Sequence, residues 1–296
     1  MKKVLALILV ALVTVGLLSG CVAGKTAMLF VEEVDSDQAK LIWAGFSAAA
    51  KKMGMKPVLS GPTEEQLVEY SALHIWEQDI ATHKPDVMAV VGLSDSEMFS
   101  MFHGQTEIPV VAIDPIDFSS VHEYFCVYGA SDEDLARMAA QNIIGMQLPT
   151  SGRIRLLYNK EDAIVRDTFV DLLEAAGYIN LEYTPLSGRV TEESILNNYT
   201  EDTVGIYNAS DYDTTAEDLS NLILTDVTAA HLASIQNEQA SSILCRNEYM
   251  IGDQAARACG NALRNKDVTA VTVDPILVTK NGPDQNGIAF WLDLLG

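Results

Sequence analysis

Polar side chains follow most of the apolar runs of strand length in this sequence, and their types suit them to binding a small molecule. Carboxylates, amides and hydroxyls hydrogen-bond polar solutes, and carboxylates also bind cations. Each of these residues is also a common helix cap or turn former, so one alone carries little weight. As a set they predict a binding site, with candidates at Ser36, Asp37, Gln38, Asp95, Asp114, Asn159, Ser210, Asp211, Asp226 and Asn247.

The elements that position these residues alternate between strand and helix patterns. Continuous apolar runs of four to eight residues are typical of buried strands, and apolar residues spaced three and four apart are typical of amphipathic helices. Strands are predicted at 26–31, 57–60, 87–91, 108–113, 125–128, 153–158, 179–183, 203–207, 222–226, 241–245, 268–273 and 276–278. Helices are predicted at 39–53, 63–82, 94–103, 131–146, 165–176, 191–198, 214–222, 229–236 and 253–264.

Helix ends carry recognisable signals. Thr63 and Gln66 have capping-box spacing, which predicts a helix that begins there and runs to about Thr82. Ser131 or Asp132 suits the start of a later helix. Gly54 and Gly177 follow helical segments, as C-terminal capping glycines do.

This alternation predicts an α/β fold with parallel sheets covered by helices on both faces. One sheet holding every predicted strand would be unusually wide, so two doubly wound, Rossmann-like lobes fit better. In open parallel sheets, ligands bind beyond the carboxyl ends of the strands. The polar residues after the strands are therefore expected to converge on a cleft between the lobes.

The strong negative charge of the chain restricts its partners. Without Lys2 and Lys3, the formal charge of −22 becomes −24. Such a protein is expected to be repelled by nucleic-acid phosphates and by anionic lipid headgroups. We therefore expect no nucleic-acid partner. With 48% hydrophobic residues, the chain can build substantial cores.

Catalytic and cofactor motifs are missing from the sequence. It contains no GxGxxG, Walker A, HExxH or GxSxG pattern, and its five histidines are scattered, so helix-face or surface roles are expected for them. Cys126, Cys245 and Cys259 lack metal-binding spacing. We expect free, buried thiols. No catalytic residue, cofactor or metal is predicted.

The N-terminal residues predict export and anchoring. Lys2 and Lys3 precede an apolar segment, 4–18, that is too short to span a membrane. Leu18-Ser-Gly-Cys21 then resembles a bacterial lipobox, which implies a signal peptide at 1–20 and a lipid on Cys21. A plain secretory signal and an uncleaved anchor helix are the alternatives. Only 22–24 separate Cys21 from the first strand, so the first lobe is expected close to the membrane.

Several segments resemble type I periplasmic binding proteins, with the ribose-binding branch the nearest. These are 110–114 and 128–132, then 163–169, and finally 239–247 with Ile251-Gly252. The resemblance implies two lobes joined by a three-strand hinge, with boundaries at 25–130 plus 248–275 and at 131–247 plus 276–296. It also implies a monomer that closes on a small polar solute, a carbohydrate above all, and presents it to ABC permease subunits. Cys126 and Cys245 each fall just before a hinge crossing implied by the resemblance, so a disulfide between them is the alternative to free thiols.

The resemblance also implies site residues and departures from the family pattern. Asp114 keeps the family's sugar-binding Asp, Asp226 matches a second-lobe Asp, and Asn247 stands where a hinge Gln is usual. Asp211 matches an acidic residue that follows a second-lobe strand in the family, and Ser210 stands where the family usually has an Asn. Gln38 and Ala39 replace stacking aromatics, and Pro115 replaces an Arg. A second-lobe Arg position falls near Ala163, which leaves Arg166 as the candidate. Such a site favours a neutral or cationic solute over an anion.

Three functions are compatible with these features. The first is a lipid-anchored solute-binding protein of an ABC importer. The second is a sensor lipoprotein of the same fold that presents its solute to a receptor or kinase. The third is an extracytoplasmic enzyme.

Overall fold

The computed structural model describes residues 22–92, 108–115, 125–159, 161–186, 202–210, 221–266 and 270–295. The chain divides into two compact units and passes between them three times. The first unit comprises Met1–Gly129 and Glu248–Val273, and the second comprises Ala130–Asn247 and Asp274–Gly296.

The described elements alternate as a doubly wound fold requires. In chain order they are β1 (Thr26–Phe30), α1 (Asp37–Lys52), β2 (Lys56–Ser60), α2 (Glu64–Leu67), α3 (Ala72–His83), β3 (Val87–Val91), β4 (Val110–Ile113), β5 (Phe125–Tyr128), α4 (Asp132–Gly145), β6 (Arg153–Asn159), α5 (Ala163–Ala175), β7 (Leu181–Leu186), β8 (Thr203–Ala209), β9 (Leu222–Thr225), α6 (Ala229–Gln236), β10 (Ser242–Cys245), α7 (Glu248–Ala262), β11 (Val271–Thr272), β12 (Ile276–Val278), a 3-10 turn (Asp284–Asn286) and α8 (Ile288–Leu295).

The first unit holds a parallel sheet of order β11-β5-β4-β3-β1-β2. Both faces are buried, because alternate residues of β1 enter two different cores. Ala27 and Leu29 belong to one core, and Met28 and Phe30 to the other. Trp76 of α3 covers the second face, with its ring edge-on to Phe30 at 5.6 Å between centroids.

Two glycines let α1 and α7 approach closely on the first face. A Cβ on Gly252 would lie 1.9 Å from the carbonyl oxygen of Ile42, and one on Gly45 would lie 1.8 Å from that of Tyr249. The backbones are therefore in direct contact at this crossing. Because α7 follows the second passage between units, the first unit is completed by a distant part of the chain.

The second unit repeats the plan with the order β12-β10-β9-β8-β6-β7. Helices α4 and α5 bury Leu135, Ala139, Phe169 and Leu173 against Leu156 and its neighbours in one core. The edge strand β12 runs antiparallel to β10, so this sheet is mixed rather than wholly parallel. The predicted two-lobe, doubly wound α/β architecture is confirmed.

One predicted helix is wrong in extent. The segment 63–82 forms two helices, α2 and α3, because Ser71 takes extended backbone dihedrals and its hydroxyl accepts the His74 amide as a new N-cap. The capping box of Thr63 and Gln66 is confirmed. The predicted helices at 94–103, 191–198 and 214–222 lie largely or wholly outside the described residues.

The three cysteines of the described chain, Cys126, Cys245 and Cys259, are buried thiols that form no disulfide. Burial raises the pKa of Cys126, although a hydrogen bond with Tyr128 counteracts part of the effect. Burial also raises the pKa of Cys259 strongly. None of the helices described is both long and apolar enough to cross a membrane.

Candidate functional site

The strand orders define where each unit can bind a ligand. Connections from β1 and β3 leave to opposite sides in the first sheet, and those from β6 and β8 do so in the second. Such switch points open a crevice at the carboxyl ends of the strands. Asn159 ends β6 and Ser210 directly follows β8, so these two predicted residues flank the crevice of the second unit.

A cavity of about 320 Å³ occupies this crevice. That volume is at the lower end of the ~300–1,000 Å³ typical of small-molecule sites. The cavity is lined by the ends of β6, β8, β9 and β10 and by the first turns of α4, α5 and α6. The lining residues are Asp132, Leu135, Asn159, Asp162, Val165, Tyr207, Ala209, Ser210, Thr225, Asp226, Thr228, His231 and Arg246.

Arg246 organises the polar groups of the cavity. Its guanidinium donates to the carbonyl oxygen of Ala130 at 2.6 Å and to the carboxylate of Asp132. Its Nε lies 3.5 Å from Oδ1 of Asp226. The planar fork of an arginine suits such convergent acceptors, so the side chain links β10, α4 and the end of β9.

The backbone of Asp226 aims its carboxylate at the cavity. The residue adopts a left-handed conformation with φ 63°, which costs Asp less than most other residues. Its amide donates to the carbonyl oxygen of Leu244 at 2.8 Å, which extends the pairing of β9 with β10 and holds Asp226 in place. Non-glycine residues in this conformation persist where the surrounding contacts enforce it, often at binding sites.

Two further lining residues have defined proton positions. Nδ1 of His231 lies 2.8 Å from the carbonyl oxygen of Asp226, and because a carbonyl can only accept, Nδ1 carries a proton. Burial raises the pKa of Tyr207 well above its usual value, so its phenol stays protonated. Both side chains are buried, His231 with 7% of its surface exposed.

The serine in this cavity is not arranged as a nucleophile. The hydroxyl of Ser210 donates to Oδ1 of Asn208 at 2.6 Å, and its amide donates to the same oxygen at 3.1 Å. An amide oxygen cannot act as the base that activates a serine. This arrangement suits Ser210 to positioning a ligand rather than attacking one.

The corresponding edge of the first unit presents Asp114 directly after β4. This residue is also left-handed, with φ 45°, and Oδ1 of its carboxylate accepts the amide of Gly129 at 2.6 Å. A Cβ at Gly129 would lie 2.9 Å from Cδ1 of Ile251 and 3.3 Å from Oδ2 of Asp114, so a larger residue here would have to displace the end of the Ile251 side chain.

The other candidates of the first unit follow β1. Ser36 is the N-cap of α1: its hydroxyl accepts the amide of Ala39 at 3.2 Å and donates to the carbonyl oxygen of Glu33. Asp37 lies 3.5 Å from Nζ of Lys40, and Gln38 is exposed. Trp43 of α1 stacks on Phe46 beside the core.

Two candidates of the second unit, Arg166 and Asn247, are not among the residues that line the cavity. Arg166 binds its neighbour Asp167 at 2.6 Å and lies over the ring of Tyr183. Asn247 is left-handed with φ 65° and buried, with 6% of its surface exposed. Its Oδ1 has no hydrogen-bond partner among the described residues. Cys21, Asp95 and Asp211 lie outside the described residues.

Three of the candidates predicted from the sequence, Asn159, Ser210 and Asp226, line this one cavity, but most of the other lining residues were not among the candidates. Arg246 follows a strand as they do, and that signal could have included it. Asp132 and His231 reach the cavity from the first turns of α4 and α6, where capping residues give no sign of a ligand. Tyr207 lies inside β8 and reads as core.

Comparison with solved structures identifies the fold. A sugar-binding protein of a sugar ABC transporter from Bacillus halodurans matches with a TM-score of 0.67 and 17% identity, over 86% of this chain and 97% of that chain. AraP, an arabinose-binding protein from Geobacillus stearothermophilus, matches with a TM-score of 0.66 and 16% identity, over 87% and 97% of the chains.

A periplasmic ribose ABC transporter protein from Conexibacter woesei gives a TM-score of 0.66 at 15% identity, over 88% of this chain and 93% of that chain. No protein-family model matches the sequence, and no curated protein matches it. At these identities the similarity shows the fold alone: the chain has the same α/β fold of two doubly wound units as these solved structures.

Proposed function

We propose that this protein is a lipid-anchored solute-binding protein of an ABC importer that captures a small polar solute, with a carbohydrate the favoured class. The observation that carries the proposal is the cavity at the carboxyl edge of the second unit. It combines acceptors on Asp132, Asp162 and Asp226 with donors on Arg246 and Tyr207. A ligand rich in hydroxyl groups needs both kinds of partner.

The solved structures support the choice of a carbohydrate. The similar proteins are described as sugar-binding, arabinose-binding and ribose transporter proteins, and another as a glucose-galactose binding protein. The capture mechanism proposed is closure of the two units about the three chain crossings, which desolvates the solute without making or breaking a bond. Asp114 and Asn247, beside the first two crossings, are proposed to contact the solute together with Asp226.

The charge of the cavity narrows the solute class. Three carboxylates face one guanidinium, so an anionic ligand would meet net repulsion at low local dielectric. A neutral sugar or polyol fits this balance, and a solute that carries an amine is the second choice. The proposed anchor at Cys21 would keep the protein beside its permease subunits, and acyl mass on the purified chain tests the anchor separately.

A sensor function is the second candidate. One similar structure is described as a XylFII–LytSN complex, with a TM-score of 0.56 and 16% identity. A protein of this fold therefore forms a complex with another named chain. Genes for permease and ATPase subunits beside this one would favour transport, and a kinase gene would favour sensing.

The test is a calorimetric titration after a thermal-shift screen of sugars, polyols, nucleosides and amines. Asp226→Ala should lower the affinity for the hit at least tenfold, because its carboxylate lies in the cavity. Asp167→Ala, which removes an exposed carboxylate outside the lining, should leave the affinity unchanged. Equal losses in both variants, or turnover of the bound solute, would contradict the proposal.

A further inference from the structure

Lysines are concentrated at the amino edge of the first unit's sheet, where its strands begin and its helices end. Lys25 precedes β1 and Lys56 begins β2, while Lys51 and Lys52 end α1. Lys84 follows α3, and Lys266 follows α7. Six of the nine lysines after Cys21 thus form what we call the basic edge: Lys25, Lys51, Lys52, Lys56, Lys84 and Lys266.

Backbone contacts show that the basic edge is one surface. The amide of Lys56 donates to the carbonyl oxygen of Lys25 at 2.8 Å, and the amide of Asp86 donates to that of Thr26 at 2.9 Å. The end of α7 joins them, since a Cβ on Gly260 would lie 3.1 Å from Sδ of Met53.

Among the described residues, one carboxylate forms an ion pair with the basic edge. Asp86 binds Lys25 at 2.7 Å, and no described carboxylate lies within ion-pair distance of the other five lysines. All six lysines are exposed. A cluster of this size is what basic surfaces that bind anionic lipids contain.

Helix stability explains only part of this arrangement. Cations at helix C-termini interact favourably with the helix dipole, which accounts for Lys51 and Lys52. It does not account for Lys25 and Lys56, which lie where strands start. The second unit shows no such pattern: α4, α5 and α6 carry no basic residue in their last turns. At the start of β6, Arg153 is paired with carboxylates.

The chain enters the fold at this same edge. Val22 is wholly buried in the first unit's core, and the amide of Gly24 donates to the carbonyl oxygen of Gly54 at 2.8 Å. Gly54 lies between Lys52 and Lys56. Cys21 is bonded directly to Val22, so a lipid on Cys21 would emerge beside the basic edge with almost no slack.

We propose that the basic edge binds anionic phospholipid headgroups of the membrane and orients the first unit with the carboxyl ends of its strands facing away. This inference uses the proposed anchor at Cys21 only to bring the edge within reach. It adds to the solute-binding function and does not depend on the identity of the solute.

The overall negative charge does not prevent this contact. Charges are screened beyond a Debye length of about 8–10 Å at moderate salt. The acidic residues that follow β1 are separated from the basic edge by the length of that strand, roughly 17 Å for its five residues. Headgroups therefore interact with the nearby lysines, and each lysine at an anionic surface changes partitioning about fivefold.

The test places the purified processed chain in phosphatidylcholine vesicles with or without phosphatidylglycerol. A fluorophore is attached at Thr82→Cys, beside the basic edge, or at Glu65→Cys, after β2, and is quenched by headgroup-labelled lipid. The buried native thiols leave the introduced cysteine as the reactive one in the described chain. Quenching at position 82 should rise with phosphatidylglycerol and fall with salt, and quenching at position 65 should stay low.

Charge variants test whether the lysines of the basic edge cause the dependence of quenching on phosphatidylglycerol. Replacing Lys51, Lys52, Lys56 and Lys84 with Gln should abolish the phosphatidylglycerol dependence. Replacing Lys40, Arg137, Arg257 and Lys280 with Gln removes the same charge elsewhere and should preserve it. Equal quenching in both vesicle types, an unaffected Lys variant, or binding to soluble polyphosphate without binding to vesicles overturns the inference.

The anchor is judged independently in the same preparation. If mass spectrometry finds no lipid on Cys21, the anchor fails, and flotation of the processed chain still tests the basic edge. Preferential flotation with phosphatidylglycerol vesicles, lost in the four-lysine variant by about 10²-fold or more, then supports the inference. Absence of that preference contradicts it, whatever solute the protein binds.

Discussion

The two units share a strand order but hold the carboxylate after their fourth strand in different ways. The amide of Asp114 donates to Val127 of β5, and that of Asp226 donates to Leu244 of β10. These equivalent bonds align Gly129 with Arg246, each two residues further on. In the first unit a backbone amide binds the carboxylate, and in the second a guanidinium faces it.

This difference shows that the same strand order allows two ways of holding the carboxylate. A glycine amide offers a single donor held by the backbone, whereas Arg246 also binds Ala130 and Asp132 and so joins three elements. At this edge the carboxylate of the second unit is therefore held by a side-chain network, and that of the first unit by a backbone amide. The amino edges differ as well, being basic in the first unit and ion-paired in the second.

Helix packing is where the units should differ most in their response to mutation. Gly252→Ala places a methyl group against the Ile42 carbonyl, and overpacking against backbone should lower the free energy of unfolding of the first unit by about 2–3 kcal/mol. Urea titrations followed by Trp43 and Trp76 report this unit, and Trp291 reports the second.

Gly145→Ala is the matched control in the second unit. This glycine ends α4 with open space where a Cβ would stand, so alanine should stabilise the helix by about 0.5–1 kcal/mol. Equal destabilisation by both variants would show that the close crossing of α1 and α7 has no special role.

Arg246→Ala converts the second unit to the arrangement of the first. The variant leaves Asp132, Asp226 and the Ala130 carbonyl without their guanidinium donor, while the amide of residue 246 remains. We expect a loss of about 1–2 kcal/mol in the second unit's unfolding free energy, reduced from a buried value because both carboxylates are about half exposed. The Trp291 signal in urea measures it.

Arg246→Lys keeps the charge but not the planar fork, so it should restore only part of that loss. If Arg246→Ala keeps full stability, the backbone amide of residue 246 has taken over the role of the guanidinium toward Asp226, as the Gly129 amide does for Asp114. The contrast between the units would then lie in binding rather than in folding.

The fold could be predicted because each element carries a local signal. Helix 229–236 and strand 276–278 were predicted with the bounds that the structure has. The break at Ser71 was missed because the apolar period continues through it, while the N-cap hydrogen bond interrupts the helix. Glycine crossings such as Gly252 depend on which helices meet, and no local pattern records that.

The site could be predicted only where it follows strands. Asp226 and Ser210 met that rule, while His231 enters the cavity because α6 begins beside Asp226. The grouping of charged residues on the surface could not be predicted from the sequence either. A net charge of −22 describes the whole chain, but the grouping of Lys25, Lys56 and Lys84 requires the sheet order that brings β1, β2 and β3 together.

The ion pair within the basic edge should give the smallest effect, and one that depends on pH. Desolvation acts to raise the pKa of Asp86, but hydrogen bonds from Lys25 and the Thr26 amide outweigh it and lower the pKa. A carboxyl with a depressed folded pKa stabilises above its unfolded pKa, near 3.9, and loses that contribution as pH falls through the folded value. Asp86→Ala should therefore cost the first unit about 1 kcal/mol in urea at neutral pH, and progressively less as the pH falls below the unfolded pKa towards the folded one. Lys25→Gln keeps the hydrogen bond from the Thr26 amide to Asp86, so it should lower the free energy of unfolding less than Asp86→Ala does at neutral pH. If the loss in Asp86→Ala does not change with pH, the effect comes from packing rather than from the ion pair.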